Sequence, residues 1–370
     1  MNRYERQINL RGFGTEGQRK LRQSSVLVIG AGGLGCPALL YLAAAGVGKI
    51  GIADGDTICL SNLNRQILYS ESDEDKKKAV VAGAILSHKY SDIEVNVFSK
   101  YIDNNNAIDI LSKFDVIMDC TDNFSTRYLV NDACVLLNKP FVYGAIYEYE
   151  GQVSLFNVCH DHGIACNYRD LFPVPPDPSQ IPNCDDTGVL GVLPGIIGNI
   201  QAAEVIKFLA GVGTLLSGRV LHYNLAHQQF YELNISPHPE AYRHMPQTEL
   251  AFRNFDYSLS CSAVETIEWD KAHSIFNHDS RQSIFVDVRE SGELPKAEHI
   301  PYIHLPLSQL SEGTKYFVDQ QSLFVFCQHG IRSAKAVGIL KKIFPEKNIF
   351  SIKGGIMDNH SPIKKIWHEA

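Results

Sequence analysis

Residues 30–35 read Gly-Ala-Gly-Gly-Leu-Gly, between an apolar run at 25–30 and an apolar stretch of helical composition. Gly30, Gly32, Gly33 and Gly35 at that spacing give a tight turn, close backbone approach to a phosphate, and a helix N-terminus facing negative charge. Asp54 ends the next apolar run, where an acceptor for ribose hydroxyls belongs. Alone, these features fit a dinucleotide and favour NAD. The residues downstream point elsewhere. Asp56, Ser61, Asn62, Asn64 and Arg65 crowd one short stretch, Lys78 comes after it, and Asp122 and Asn123 close the segment Asp-Cys-Thr-Asp-Asn. A nicotinamide site needs an apolar pocket and a hydride partner. An arginine, a lysine and an aspartate converging on phosphates suit nucleotidyl transfer, the cations offsetting a triphosphate and the carboxylate holding Mg²⁺. Two other readings stay open. Lys78 belongs to a lysine run at 76–78 that a solvated face also carries, and Asp122 stands where a helix starting near Phe124 takes its N-cap.

The elements that must position these residues alternate. Apolar runs at 25–30, 49–53, 94–98 and 116–119 read as strands, with helical stretches at 36–46, 76–90 and 107–113. Such alternation predicts an α/β, Rossmann-like fold with a mostly parallel sheet and helices on its faces. Residues 144–156 alternate with period two and read as an antiparallel extension. The stretch 171–195 holds six prolines and reads as a long loop, a feature that is usually functional. A helix is expected over 196–209, stopped by Gly211. Residues 236–262 lack periodicity and read as a linker between a domain at 1–235 and a second, smaller α/β domain at 263–370. That second domain shows strands at 283–288, 322–327 and 348–352 and a helix at 331–343.

Composition limits the function classes. The 370 residues suit about two domains. A net charge of −7 offers no nucleic-acid footprint. Nine cysteines, an odd and sparse set, read as reduced thiols of a cytoplasmic protein. Met1–Arg11 is polar, with no signal-peptide character. Val26–Gly48 is uncharged over a membrane-like length, but its six glycines and Pro37 make it a strand, loop and buried helix. No membrane partner is expected.

Four blocks agree in order and spacing: RYERQINLRGFG at 3–14, GAGGLGCP at 30–37, DGDTICLSNLNRQ at 54–66 and DCTDN at 119–123. As a set they resemble the E1-like adenylyltransferases of sulfur-carrier activation, the family of the molybdopterin-synthase and thiamine-pathway adenylyltransferases. The resemblance runs over about residues 1–235. It implies ATP and Mg²⁺, and a ubiquitin-like sulfur-carrier protein ending in Gly-Gly whose carboxylate becomes an acyl-adenylate. By the resemblance, Gly33 and its neighbours contact the nucleotide and Asp54 holds the ribose. Asn62, Arg65 and Lys78 face the phosphates, and Asp122 serves Mg²⁺. Arg6 resembles the family's arginine finger, which reaches the nucleotide of the other protomer, so a homodimer is implied. Arg6 also reads as an ordinary surface arginine.

The C-terminal domain resembles a rhodanese through Phe285-Val-Asp-Val-Arg289-Glu290, Glu298-His-Ile-Pro301, Val325-Phe-Cys327-Gln-His-Gly-Ile-Arg332-Ser333 and Lys353-Gly-Gly-Ile. Tyr302 departs from the glycine common after His-Ile-Pro, and the chain end matches weakly. Cys327 ends a strand and opens a loop feeding a helix, which surrounds its sulfur with backbone N–H groups and suits a persulfide. Arg332 is expected to bind an anionic sulfur donor, either thiosulfate or a persulfide protein being possible. Cys184, in Ile-Pro-Asn-Cys-Asp-Asp, matches a loop cysteine that in similar proteins reacts with the activated carrier, although Asp185 and Asp186 oppose a thiolate. Asn167 and Asp170 stand where the family often has one of two zinc-binding Cys-x-x-C pairs. No such pair occurs in the chain, and Cys159, His160, His162 and Cys166 have no second pair beside them, so no structural zinc is expected.

The leading expectation is adenylylation of a carrier followed by sulfur transfer to give the thiocarboxylate. Two alternatives compete. An NAD(P)-dependent oxidoreductase leaves Arg6, Arg65, Lys78, Asp122 and the second domain unexplained. A scaffold on an inactive E1 fold sits poorly with intact Arg65, Lys78, Asp122 and Cys327. Molybdopterin and thiamine routes are not distinguished.

Overall fold

A computed structural model of the chain describes residues 3–159, 165–175, 188–257, 265–294, 296, 300–310, 314–317, 319–358 and 361–362. The chain divides into two compact units, whose described residues lie at 3–257 and 265–362.

The first unit is built on one eight-stranded sheet. Its strands are β1 (Ser25–Ile29), β2 (Lys49–Ala53), β3 (Glu94–Phe98), β4 (Val116–Asp119), β5 (Phe141–Tyr147), β6 (Glu150–Phe156), β7 (Arg219–Asn224) and β8 (Gln229–Asn234), in the order β3-β2-β1-β4-β5-β6-β7-β8. The first five pair in parallel and the last three extend the sheet antiparallel. Strands β1, β2 and β4 are buried almost throughout, which is why they are continuous apolar runs rather than alternating ones. The order reverses between β1 and β4, where strand C-termini open a crevice.

Helices Gly35–Ala45 and Val192–Ala210 pack together over one sheet face. Gly198 allows the close crossing, since a Cβ there would lie 2.2 Å from the Leu34 carbonyl oxygen. Each helix ends on a left-handed glycine, Gly46 and Gly211, the usual stop. Val192–Ala210 is long and apolar enough to span a membrane by length and composition alone. Its Gln201 and Glu204 are buried in hydrogen bonds of the core. Helices Ala107–Leu111, Phe124–Leu136 and Tyr168–Leu171 contribute to the core on the other face.

The stretch expected as a linker, 236–262, differs over its described part. Ala241, Met245, Phe252 and Tyr257 are buried, the helix Glu249–Arg253 is capped by Thr248, and the Tyr257 hydroxyl donates to Asp132 at 2.9 Å. These anchors are irregularly spaced, so no period marks them; isolated slots in the first unit hold them. One tie is local to the expected zinc segment. Asn167 and Asp170 form a capping box, and Asp170 accepts from the backbone N–H of Asn167 at 2.7 Å and of His238 at 2.8 Å. Asp170→Ala therefore strips three hydrogen bonds from a buried group. A loss of about 2–4 kcal/mol is expected, read as a lower urea midpoint at unchanged slope.

The second unit carries a five-stranded parallel sheet, β9 (Thr266–Ile267), β10 (Ser283–Asp287), β11 (Tyr302–His304), β12 (Ser322–Phe326) and β13 (Asn348–Ile352), ordered β11-β10-β12-β13-β9. Two apolar clusters flank it, one including Val337 and Leu340 of helix Ile331–Ile343, the other Trp269 of helix Trp269–His278. Trp269 is fully buried and donates to the Gly355 carbonyl at 2.7 Å.

Two candidate active sites

The glycine loop turns directly out of β1. Gly30 takes φ +93°, and a Cβ there would meet the Cys120 carbonyl oxygen at 2.7 Å. At Gly35 a Cβ would lie 2.0 Å from the Gly30 oxygen. The turn thus closes only with glycine at both ends, and the helix Gly35–Ala45 begins at it. Asp54 braces the loop rather than pointing away from it: Oδ2 accepts from the Ala31 N–H at 2.7 Å and Oδ1 from the Asp56 N–H at 2.8 Å. Each oxygen keeps a second lone pair for a hydroxyl.

Arg65 lies against this loop, and Lys78 is tied to it indirectly, through Tyr69 and Asp56. A Cβ on Gly33 would sit 3.5 Å from Arg65 Cγ and 3.1 Å from Pro194. The Arg65 guanidinium is held by Asn62 Oδ1 at 2.6 Å, Asn64 Oδ1 at 3.1 Å and the Ser61 carbonyl at 3.4 Å. Tyr69 donates its hydroxyl to the Ala31 carbonyl at 2.8 Å and lies 3.3 Å from the Lys78 carbonyl. Lys78 is 5% exposed and its Nζ contacts Asp56 at 3.0 Å, so it is no solvated lysine. Asp56 receives the Tyr101 hydroxyl as well. Burial pushes the Asp56 carboxyl up, but Tyr101 and Lys78 more than offset it and hold it below the usual range. The hydrogen bond to Asp56 drives the Tyr101 phenol up to about 12.

At the end of β4, Asp122 is exposed and Asn123 caps helix Phe124–Leu136, its Oδ1 accepting from Thr126 N–H at 2.8 Å. The cap expected as one reading of Asp122 is therefore Asn123, and Asn123, expected at the nucleotide, spends its carbonyl on the helix. Sequence reasoning also missed what holds this turn. Asp119 is fully buried and accepts from Thr121 N at 2.9 Å and Oγ1 at 2.6 Å. Arg127 contacts Asp119 at 3.4 Å and donates to the Thr121 carbonyl at 3.1 Å, its guanidinium over the Tyr143 and Phe124 rings. Burial pushes the Asp119 carboxyl up, opposed by Arg127.

Gln66 was missed too. It is 4% exposed, its Nε2 is 3.7 Å from where a Gly32 Cβ would be, and its buried Oε1 has no hydrogen-bond partner. A glycine cradle, two cations and an orphaned buried acceptor fit a nucleotide's phosphates and hydroxyls. Gln66→Leu is expected to raise the KM for ATP several-fold, about 0.5–1.5 kcal/mol for one hydrogen bond. The unfolding midpoint should not fall, because the orphan is removed; an unchanged KM would refute the contact. Among the described residues no group of three or more metal-ligating side chains gathers. Mg²⁺ is commonly held by one or two carboxylates plus substrate phosphates, so a group of three is not needed for it.

Arg6 is exposed on the short helix Glu5–Ile8. Its neighbours are tied elsewhere: Tyr4 to Asp92 at 2.6 Å and Gln7 to the Ala45 carbonyl at 2.8 Å. Cys184 lies outside the described residues.

In the second unit, Cys327 is 1% exposed at the end of β12. Its Sγ accepts from the N–H groups of Gly330 at 3.2 Å and Ser333 at 3.4 Å, at the start of helix Ile331–Ile343. Gly355 presses against the loop, where a Cβ would lie 2.3 Å from the Cys327 carbonyl. The expected strand, loop and helix around a sulfur are thus in place. Arg332, expected to meet an anionic donor, is forked onto Glu293 at 2.5 and 2.7 Å.

Comparison with known proteins matches residues 4–243 to the model of the ThiF family. The probable adenylyltransferase/sulfurtransferase MoeZ of Mycobacterium tuberculosis is 37% identical, covering 92% of this chain and 88% of its own. The adenylyltransferase and sulfurtransferase MOCS3 of Drosophila sechellia is 38% identical, covering 96% and 82%. Among solved structures, E. coli MccB with ATP is similar at a TM-score of 0.54 and 24% identity, covering 64% of this chain and 73% of that one; this is a likeness of fold.

Proposed function

The chain belongs to the ThiF family, and we propose that its first unit joins the C-terminal carboxylate of a ubiquitin-like carrier ending in Gly-Gly to AMP. It is an enzyme with both adenylyltransferase and sulfurtransferase activities, acting on a sulfur-carrier protein. A carboxylate is a resonance-stabilised anion and resists attack by sulfur. One carboxylate oxygen bonds to the α-phosphorus of ATP, the bond to the β-phosphate oxygen breaks, and pyrophosphate leaves with the electron pair. The mixed anhydride left behind is a usable electrophile.

The observation that carries this reading is Arg65 packed against the glycine loop, with buried Lys78 tied to that loop through Asp56, Asp54 and Tyr69. A dinucleotide oxidoreductase has no need of these cations. In our reading Arg65 and Lys78 offset phosphate charge, Asn62 aims Arg65, Asp54 receives the ribose, and Asp122 would hold Mg²⁺, which neutralises charge on the leaving phosphates. Catalysis by such an assembly is mainly positioning and charge stabilisation.

Arg6 supports a homodimer with shared sites. Gln7 is fixed at Ala45, the far end of the 11-residue helix whose first residue meets the glycine loop. At 1.5 Å per residue the two ends are about 16 Å apart, so an arginine at this nucleotide is best supplied by a second copy.

The second unit accepts sulfur on Cys327. The terminal sulfur of a Cys327 persulfide then attacks the acyl carbon and AMP leaves. A thiolate, Cys184 in our reading, attacks Cys327 sulfur in the resulting acyl disulfide. The carrier leaves as a thiocarboxylate, and a thiol reductant reopens the disulfide between the two cysteines. Tethering raises the effective concentration of the two chemistries. We place the first domain over residues 1–257, with the segment 236–257 part of it, the second domain from 265 onward, and the protein in the cytoplasm, where its thiols stay reduced. The carrier is of the molybdopterin-synthase or thiamine type.

Intact-mass analysis tests the reading. Candidate Gly-Gly carriers are incubated with the protein, Mg-ATP and a thiosulfate or persulfide donor. A carrier gaining one adenylyl group, then exchanging one oxygen for sulfur, is the expected result. No adduct on any carrier despite ATP binding would overturn it in favour of a scaffold.

A further inference from the structure

The loops after β10 and β12 are neighbours, because those strands pair in parallel with Asp287 opposite Phe326. Cys327 opens one loop and Glu293 sits in the other. Arg332 joins them: Nη1 donates to Glu293 Oε1 at 2.5 Å and Nη2 to Oε2 at 2.7 Å. Most exposed ion pairs hold little, but a two-pronged fork with its ends fixed is the exception. Both ends are fixed here. Glu293 Oε1 also accepts from the Glu290 N–H at 2.7 Å, in a turn where Gly292 takes φ +95°. Arg332 lies in the first turn of the helix that receives the Cys327 loop. The hydrogen bond from Arg332 holds the Glu293 carboxyl below its ordinary range against some burial, so the carboxylate is charged at neutral pH. Lys353, next to the Gly354 that packs on Gly330, is likewise paired, with Glu268 at 2.9 Å.

A second feature agrees. Gln328, adjacent to Cys327, keeps a buried side-chain carbonyl oxygen with no hydrogen-bond partner. That oxygen is an acceptor only. It suits a group bearing S–H or N–H and offers nothing to an anion.

We propose that Glu293 sets the charge preference of the sulfur site: by matching the charge of Arg332 it filters out dianionic thiosulfate and leaves the Cys327 loop receptive to a persulfide carried on another thiol. The proposal rests on the reading of Cys327 as the sulfur acceptor. With thiosulfate, the Cys327 thiolate attacks the outer sulfur, the S–S bond breaks, and sulfite leaves with the electron pair. With a persulfide R–S–SH, the thiolate attacks the terminal sulfur, that S–S bond breaks, and RS⁻ leaves. Both leave a persulfide on Cys327. Only thiosulfate brings a dianion to the loop, and a guanidinium already matched by a carboxylate draws it in weakly.

The test uses the full chain and reads Cys327 persulfide by mass, with thiosulfate and with a small alkyl persulfide as donors. Glu293→Gln uncovers the arginine charge. Its kcat/KM for thiosulfate should rise about tenfold at low salt, and the gain should shrink as salt screens it. Loading from the alkyl persulfide should move by less than about twofold. Adding Arg332→Gln should erase the gain, whereas a pair that only braced the loop would lower both donors together. An unchanged or reduced thiosulfate rate in a folded Glu293→Gln protein overturns the proposal. If that variant fails to fold, the native chain still decides: a thiosulfate rate nearly flat with ionic strength is expected, and a steep fall with salt overturns the filter. Loading from neither donor in any variant overturns the sulfur-acceptor reading itself, and the filter with it.

Discussion

Asp122→Ala is expected to cut carrier-dependent pyrophosphate release by about 10²–10³-fold, the usual cost of one charge-stabilising group at a developing negative charge. The turn that carries Asp122 is held from behind by fully buried Asp119, which takes both the amide and the hydroxyl of Thr121, and by Arg127, which takes the Thr121 carbonyl. The next helix is capped by Asn123. Asp122 is thereby presented, exposed, at the C-terminal end of β4, with Asn123 and not Asp122 as the cap. Substitution at such an exposed position should shift stability by no more than about 0.5 kcal/mol. Activity and stability therefore separate. Asp122→Asn, which keeps the shape and loses the charge, should fall with the alanine variant. Pyrophosphate release at the native rate in either one would remove Asp122 from the reaction. A matching drop in unfolding midpoint would reassign it to the scaffold.

Cys327→Ala is expected to end sulfur loading altogether. The nucleophile is the thiolate sulfur itself, and no other described cysteine has this setting of two N–H donors at 3.2 and 3.4 Å. Cys36, Cys120 and Cys134 are buried, and burial pushes their thiols up. The mass of the protein after treatment with a sulfur donor reports the outcome directly. With the variant no sulfur should be gained, and a carrier given Mg-ATP should stop at the adenylate. Undiminished loading would move the sulfur chemistry to another cysteine and reduce the second unit to a docking module.

Much of the fold and of both sites was legible in one dimension. The strands at 25–29, 49–53, 94–98 and 116–119 stand out as apolar runs, and the most deeply buried of them do so because both sheet faces are covered. The helix 331–343 and the Cys327 loop were likewise readable, because a strand, a glycine-bearing loop and a helix lie consecutively. Other parts carried no such local mark. The hairpin of β7 and β8 was missed: all six β8 residues are exposed at the sheet edge, so little apolar alternation announces it. The helix from Val192 starts ahead of the expected 196 because Pro194 is tolerated in a first turn. Residues 236–257 looked like a linker because buried anchors at irregular spacing leave no period to detect.

The sequence by itself determined the kinds of chemistry available: a glycine turn for phosphate, cations and a carboxylate for nucleotidyl transfer, and a cysteine set before a helix for sulfur. These depend on residue type and on neighbours a few positions apart, where the geometry of strand, turn and helix is local. The tertiary structure alone decided which groups share an environment. Lys78 and Tyr101 both meet Asp56, Gln66 lies over Gly32, Arg127 clamps Thr121 through Asp119, and Glu293 forks onto Arg332. Except for the Arg127 clamp, which spans eight positions, each joins residues far apart in the chain but set on adjoining strand ends or loops. The cause is the parallel sheet. It brings the C-terminal ends of successive strands to one edge, so partners there are chosen by strand order and not by distance along the chain.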